Sequence, residues 1–465
     1  MSATPQGGIV VFSGGSAANS LVDVFNEVAE KRACPLSYVI PVSDNGGSSS
    51  EISRIIGGPG IGDVRSRLVR LIPPSHTSIR TLFNHRLPPN PSAAHSEWLS
   101  VIDGTSALWP SIPPPQRQLI RSILNHLHLE LLKRARPPHS TFNFQSASIG
   151  NMFLTGARLF SGSFESAIYL LGVIGGVPES TAVIPAINTN FSHHISAGLA
   201  DGTIITGQNA ISHPSAPTAL PDQPQQAELL DGAQFGDDGL DVDPGVEDAS
   251  LPGSLPTLCQ PNIAFSKSDE EPLPARIERI WYINPYGQEI RPAVNPKAVE
   301  TLRAAEAVVY SIGSLYTSIV PSLILRGTGD ALAKTRGIKY KILILNGSLD
   351  RETGASAAGD KPMGAVEFVE AIARAGEASR GNGDWKGCPA GRYVTHVVYL
   401  EGEGTPEVQK GRLAGMGIEC VRLYGRKGEN GMMRYDGKAL GQALEAVLGN
   451  RGVRSDLSRR NTLEH

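Results

Sequence analysis

The first seventy residues alternate short β-branched apolar runs with small polar turns. Residues 9–12 form one apolar run that breaks at Ser13-Gly14-Gly15-Ser16. Apolar positions return with helical spacing at Leu21, Val22, Phe25 and Val28, which predicts strand, tight turn, helix. A second apolar run, 36–42, ends in SDNGGSSSEISR, and a third turn, GGPGIGDVRSRLVRL, opens another apolar helical run. Residues 116–135 carry Leu119, Ile120, Ile123, Leu124, Leu127, Leu131 and Leu132 every three or four positions, the mark of an amphipathic helix. Residues 191–212 alternate about Ala200-Asp201-Gly202, which predicts a β-hairpin, and ARIERIWYINPYGQEIRP alternates as a strand returning to pair with it. AEAVVYSIGSLYTSIVPSLIL repeats strand, small-residue turn, helix. Strands are predicted at 340–345, 393–400 and 418–423, with helices at 366–375 and 406–414. This alternation predicts an α/β fold, Rossmann-like, with a mostly parallel sheet, helices on both faces and a small β-hairpin insertion.

Two stretches interrupt the pattern. Residues 73–116 are rich in proline and polar side chains and read as a surface excursion with partial helix at 98–102. Residues 214–274 are poor in apolar side chains and rich in proline and acids. Such a segment buries too little surface to offset ordering entropy, so disorder is predicted there. Its aspartates, Asp237, Asp238, Asp241 and Asp243, lack the spacing and closing glutamate of a calcium loop. The chain therefore divides into one α/β domain built from 1–213 and 275–448, the two insertions, and a flexible basic tail, 449–465.

Composition narrows the partners. Of 465 residues, 40% are hydrophobic and 19% charged, as in ordinary globular proteins, and the net charge of -3 supplies no broad basic field for nucleic acid or an anionic membrane. Cys34, Cys259, Cys388 and Cys420 are far apart and form no CxxC pair, which reads as reduced thiols and not a disulfide frame or zinc site. The first residues lack the regions of a signal peptide, and no run of about 18 apolar residues suggests a membrane span. A cytoplasmic protein is expected, with homo-oligomerisation left open by the sequence.

The turns carry the candidate chemistry. A helix begins with unpaired N–H groups at the positive end of its dipole, so Gly14, Gly15 and Ser16 suit a phosphate. Asp44 and Asn45 would stand at the carboxyl end of the second strand, where open α/β sheets bind ligands, and Asp63 and Arg65 open the third helix. No GxGxxG or GxxxxGK[ST] is present. One glycine turn alone reads as chain reversal and one aspartate alone as a helix cap; three such turns in one βαβ-sized block read as a ligand site. In FNFQSASIGNMFLTGARLF, Ser148, Gly150 and Asn151 form either a capped helix start or a ligand-facing turn. Gly313, Ser314, Thr317 and Ser318 supply donors for a second half of a nucleotide cleft, and Asn346 ends a buried strand. His126 and His128 sit on a helix surface with no residues completing a metal set.

The runs VVFSGGSAANSL, PVSDNGGSSSEISR, PGIGDVRSRLVRL, SIGNMFLTGARL, LADGTIITGQNAI, VVYSIGSLYTSIVPSLI and ILILNGSLDRETG resemble, in order, the signature blocks of the CofD/YvcK-like family. That family includes 2-phospho-L-lactate transferases of deazaflavin cofactor synthesis and bacterial nucleotide-sugar-binding regulators. The resemblance implies a nucleotide or nucleotide-sugar ligand in the cleft formed by the turns, in a regulatory or metabolic role. The alternative it implies is a magnesium-dependent transferase, in which an acceptor hydroxyl attacks a phosphate of an activated phospholactate-like donor and a nucleoside monophosphate leaves. In that case Asp44, Asn45 and Asp63 would hold Mg2+, and Asp63 and Arg65 would serve catalysis. Asn45 departs from the aspartate pair common in the bacterial regulators and removes one charge from such a metal site. A non-catalytic scaffold is the third alternative.

Overall fold

The computed structural model describes residues 7–14, 17–43, 46–135, 141–212, 255, 258, 271–382, 388–428 and 431–449. Its strands are β1 (Gly8–Phe12), β2 (Leu36–Ile40), β3 (Thr181–Pro185), β4 (His194–Leu199), β5 (Ile204–Thr206), β6 (Ile277–Ile283), β7 (Glu289–Ile290), β8 (Ala305–Tyr310), β9 (Tyr340–Ile344), β10 (His396–Leu400) and β11 (Glu419–Leu423), followed by a short hairpin of Gly425–Lys427 and Met433–Tyr435. Seven of them form one parallel sheet in the order β11-β10-β9-β8-β1-β2-β3. Its central strands are buried on both faces, which is why Val10, Val11, Val308 and Val309 form unbroken apolar runs instead of alternating. The chain winds outward from β1 to β3, then returns to β8 and winds the other way. The order reverses between β1 and β8, and in doubly wound sheets the crevice beyond the carboxyl ends at that reversal is where ligands bind. The predicted α/β, Rossmann-like architecture is the one observed.

The helices that position this crevice are α1 (Val22–Lys31), α2 (Ser48–Ile55) and α3 (Gly62–Leu71), then α4 (Thr77–Asn84), α5 (Pro91–Asp103), α6 (Pro114–Arg134), α7 (Ile149–Ser161) and α8 (Phe164–Gly175). Helix α1 turns Val22, Phe25, Val28 and Ala29 inward at the spacing that the sequence predicts. Residues 73–116 differ from the expected surface excursion. They form α4 and α5, and Trp98 and Trp109 are fully buried. Trp98 Nε1 donates to His128 Nδ1 at 3.2 Å and Trp109 Nε1 to the Val101 carbonyl at 3.0 Å. The prolines mark helix starts, not interruptions: Pro91 follows the Asn90 cap, whose Oδ1 accepts from Ala93 N at 3.0 Å, and Pro114 opens α6. Truncating a tryptophan packed like Trp98 costs about 3–5 kcal/mol, so this stretch belongs to the core.

A second, antiparallel sheet in the order β5-β4-β6-β7 contains the predicted hairpin, turning at Asp201 and Gly202 (φ +87°), and β6 returns to pair with β4 as expected. The strand after the turn is shorter than the alternation suggests. It ends at Thr206, and Gln208–Ser212 is helical, which carries Gln208 to the carboxyl end of β2, where it accepts from Ser43 Oγ at 3.0 Å. The disorder predicted for 214–274 lies outside the described residues except at 255, 258 and 271–274. The tail beyond 449 lies outside them too, as do the site candidates Gly15, Ser16, Asp44 and Asn45.

Candidate functional site

The first turn leaves β1 at Ser13 and Gly14, both buried. A Cβ on Gly14 would lie 3.0 Å from Asp63 Oδ2 and 3.0 Å from Ser318 Cβ, so the glycine is what lets the first turn, α3 and the turn after β8 converge. Gly313 (φ +135°) completes this group: a Cβ there would meet Ser318 Cβ at 3.5 Å and the Gly14 carbonyl at 3.8 Å. The sheet thus brings Gly14, Asp63, Gly313 and Ser318, predicted from three separate turns, to the reversal between β1 and β8. Asp63 and Arg65 are half-buried in the first turn of α3.

A second group gathers around Arg65 of the same helix. Arg65 Nε donates to Asn151 Oδ1 at 3.2 Å, and Asn151 Nδ2 donates to Ser48 Oγ at 3.0 Å and Ser49 Oγ at 3.4 Å. Ser148 caps α7 through Oγ, which accepts from Asn151 N at 3.4 Å, so of its two readings the capped helix start is realised. Gly150 is a packing residue here. A Cβ would fall 2.5 Å from the Phe83 carbonyl oxygen and 2.9 Å from Arg65 Cδ. This network ties the serine-rich start of α2 to Arg65, and Ser48 and Ser49 are members that the sequence reading did not single out.

After β8 the chain forms one π-helical turn, Leu315–Ile319, an irregularity frequent at functional sites. Its start is occupied by a carboxylate of the protein itself. Glu352, buried, accepts from Tyr316 N at 2.7 Å, Thr317 N at 3.2 Å and Thr317 Oγ1 at 2.5 Å. Burial, and then the charge of Asp350, push the Glu352 carboxyl up to about 8, while the three donors pull the other way. Thr317 therefore serves Glu352. Asn346 serves the same turn: its Oδ1 accepts from Gly313 N at 2.9 Å and its Nδ2 donates to Gly313 O at 2.9 Å. Ser314 sits at the position before the π-turn without a side-chain cap bond. Glu352 lay in the polar loop GSLDRETGAS, and no spacing rule marks it; only the fold shows a carboxylate in the core.

Arg67 was also missed, although the sequence carried a signal. Val64, Leu68 and Leu71 define the buried stripe of α3, and Arg67 lies on it, so a charge was due in the interior. Among the described residues no group of three or more His, Cys, Asp or Glu is placed to hold a metal ion. Asp63 offers hard oxygen donors beside the Gly14 turn, which fits a magnesium ion that takes one or two protein carboxylates and completes its shell with ligand phosphates and water. A separate cavity of about 610 Å3 lies between β6 and the helix Ala365–Ser379, lined by Tyr282, Tyr316, Ala371 and Arg374 among others, and includes none of the predicted site residues. No helix of the described residues is long and apolar enough to cross a membrane.

Comparison with known proteins identifies the relatives of this chain. The yeast protein YNL011C of Saccharomyces cerevisiae, described as uncharacterized, is 44% identical over 359 residues, covering 74% of this chain and 79% of its own. Two crystal structures of protein BH3568 from Bacillus halodurans, one described as a member of the UPF0052 family, superpose with a TM-score of 0.56 at 17% and 18% identity, covering 95% of this chain and 99% of theirs; they share its fold. The family model for 2-phospho-L-lactate transferase CofD matches residues 9–402, from within β1 to just past β10. The chain belongs to the CofD family.

Proposed function

We propose that this protein binds a nucleoside diphosphate or nucleotide sugar across the reversal between β1 and β8, in a regulatory or metabolic role. The observation that carries this reading is the convergence of Gly14, Asp63, Gly313 and Ser318 at one point of the crevice. Gly14 lets α3 and the turn after β8 close on the carboxyl end of β1, at the strand-order reversal where doubly wound sheets bind their ligands. Glu352 narrows the reading. The Tyr316 and Thr317 N–H groups are already taken, so the phosphate belongs on the β1 turn, and the β8 turn is left to contact the rest of the ligand. Cys34, Cys388 and Cys420 are free thiols, in keeping with a reducing, cytoplasmic setting.

A second reading, favoured by the place of Asp63, is a magnesium-dependent transferase of the kind that names the family. There Asp63 would hold the ion against the ligand phosphates, and the ion would offset phosphate charge. Arg65, braced by Asn151, would stabilise the phosphate as a fork donor.

The two readings separate in a thermal-shift screen of the purified chain against UDP-sugars, UDP, GDP, GTP and ADP, each with and without magnesium. A magnesium-independent shift with a nucleotide sugar and no turnover supports the binding role. A magnesium-dependent shift accompanied by release of a monophosphate establishes the transferase. No shift with any of them removes the assignment of the crevice to nucleotides.

A further inference from the structure

The cavity between β6 and the helix Ala365–Ser379 shares no residue with the crevice group. Tyr316, Val320 and Ile324 recur every four positions and form one wall, while Ala371 and Ala375 of the facing helix form another. Alanines at these positions keep the space open. Its volume, about 610 Å3, falls within the range of about 300–1,000 Å3 that small-molecule sites occupy. The turn Leu315–Ile319 presents Ser318 to Gly14 and Tyr316 to the cavity, so crevice and cavity lie on different sides of one turn.

The charges along the lining do not cancel. Three arginines, Arg279, Arg291 and Arg374, meet two glutamates, Glu278 and Glu289, which leaves one positive charge in surplus. Arg279 pairs with Glu289 and lies over the Trp281 ring, 5.0 Å from the centroid. The other two arginines span the gap between sheet and helix: Arg374 Nη1 donates to the Glu278 carbonyl at 2.5 Å, and Arg291 Nη2 to the Ala378 carbonyl at 2.8 Å. Both guanidinium groups are thereby fixed at the cavity. Arg291 makes no ion pair among the described residues. Burial pushes the Tyr316 hydroxyl up to about 12, and the charge of Arg374 is the first to pull against it, which sets that guanidinium close to the aromatic wall.

An apolar space with a positive surplus selects its ligand by chemistry. A neutral apolar molecule leaves the surplus unmet and an apolar cation adds to it, whereas a carboxylate takes charge-assisted hydrogen bonds from a guanidinium fork. We propose that this cavity is a second binding site, independent of the crevice, for a small apolar molecule bearing one carboxylate, with its body against Tyr316 and Val320 and its carboxylate held by the arginines that span the gap. Aliphatic and aromatic acids share this chemistry.

The test is titration calorimetry of the full chain with octanoate, with 2-naphthoate and with the neutral 2-naphthamide, together with melting temperatures. Wild type is expected to bind at least one of the two acids and to melt higher with it, and to bind the amide about tenfold or more weakly than the acid. Binding of octanoate alone assigns the space to an aliphatic chain, and binding of naphthoate alone to a ring system. Arg291→Gln, at an exposed position, should melt as wild type does and bind the acid about three- to tenfold more weakly, and Arg374→Gln should lose about tenfold or more. Ala378→Leu, also at an exposed position, puts bulk into the space and should weaken acid and amide alike. Failure of wild type to bind either acid overturns the proposal, and so does naphthamide bound as tightly as naphthoate. Acid binding that is unchanged in both arginine variants, or unchanged in Ala378→Leu, overturns it as well, because the ligand then sits elsewhere. If Arg374→Gln does not fold, Arg291→Gln and Ala378→Leu decide.

Discussion

Asn346 satisfies both backbone polar groups of Gly313: Oδ1 accepts from the Gly313 N–H and Nδ2 donates to the Gly313 carbonyl, each at 2.9 Å. One side chain from the end of β9 thus stands in for the strand partner that the turn after β8 lacks, and it holds Gly313 at φ +135°, a conformation that other residues rarely adopt. Replacing Asn346 with alanine leaves two main-chain groups unmet. The expected cost is about 1–3 kcal/mol of stability, read as a lower melting temperature, with weaker nucleotide-induced stabilisation. Asn346→Asp keeps the acceptor but loses the donor, and should fall between wild type and alanine. Wild-type melting in Asn346→Ala would show that water replaces the amide without loss.

Gly150 offers a steric test. Alanine there would set its Cβ 2.5 Å from a backbone oxygen of Phe83, which cannot swing aside as a side-chain end does, and 2.9 Å from Arg65 Cδ. Overpacking of this kind costs about 1–3 kcal/mol. Because Arg65 is the movable neighbour, Gly150→Ala should weaken nucleotide binding beyond what the loss in melting temperature accounts for. Equal binding by this variant would separate Arg65 from the ligand.

Glu352 predicts a pH dependence with a definite sign. Burial raises its carboxyl to about 8, so between the ordinary carboxyl range and that value the folded protein holds a proton that the unfolded chain has released. Stability contributed by this group is therefore greatest at the acid end of the window and falls as pH rises toward about 8. His194 tilts the other way, since burial lowers it to about 4 and stability is lost as pH falls through the window between the ordinary histidine value and that one. The variant Glu352→Gln isolates the first effect. Its amide can still accept from the Tyr316 and Thr317 N–H groups, and the difference in melting temperature between variant and wild type should grow in the variant's favour from pH 5.5 to about 8. A difference that does not change with pH would place the Glu352 proton outside the folding equilibrium.

The sequence revealed the frame of the site better than its supports, for a physical reason. Turns advertise themselves: Gly14, Gly313 and the alternation of apolar runs are local features, and the parallel sheet followed from them together with the handedness and adjacency rules of α/β folds. Whether a donor is free for a ligand is a tertiary property. Thr317 reads as a donor until Glu352, 35 residues later, is seen to take its hydroxyl and N–H. Likewise Gly150 reads as a ligand-facing glycine until Phe83 fills the space above it. Prolines misled in the other direction, since Pro91 and Pro114 begin helices in a stretch whose composition resembles a loop. Arg67 was within reach, being a charge on the apolar stripe of α3, but its position under the β1 turn required the fold.

Asp63 decides between the two functional readings. Its Oδ2 lies beside Gly14, where a bound phosphate would feel either its repulsion or an ion that it holds. Asp63→Asn keeps the shape and removes the charge. If the carboxylate serves a metal ion, the variant should lose magnesium-dependent nucleotide stabilisation and any monophosphate release, because an amide is a poorer ligand for a hard cation. In EDTA the same variant should bind pyrophosphate a few-fold more tightly than wild type, since like charge no longer opposes the anion. Titration calorimetry with and without magnesium reads both effects on one sample. Unchanged magnesium dependence in Asp63→Asn would rule out Asp63 as a metal ligand and leave the magnesium-independent binding role as the function of the crevice.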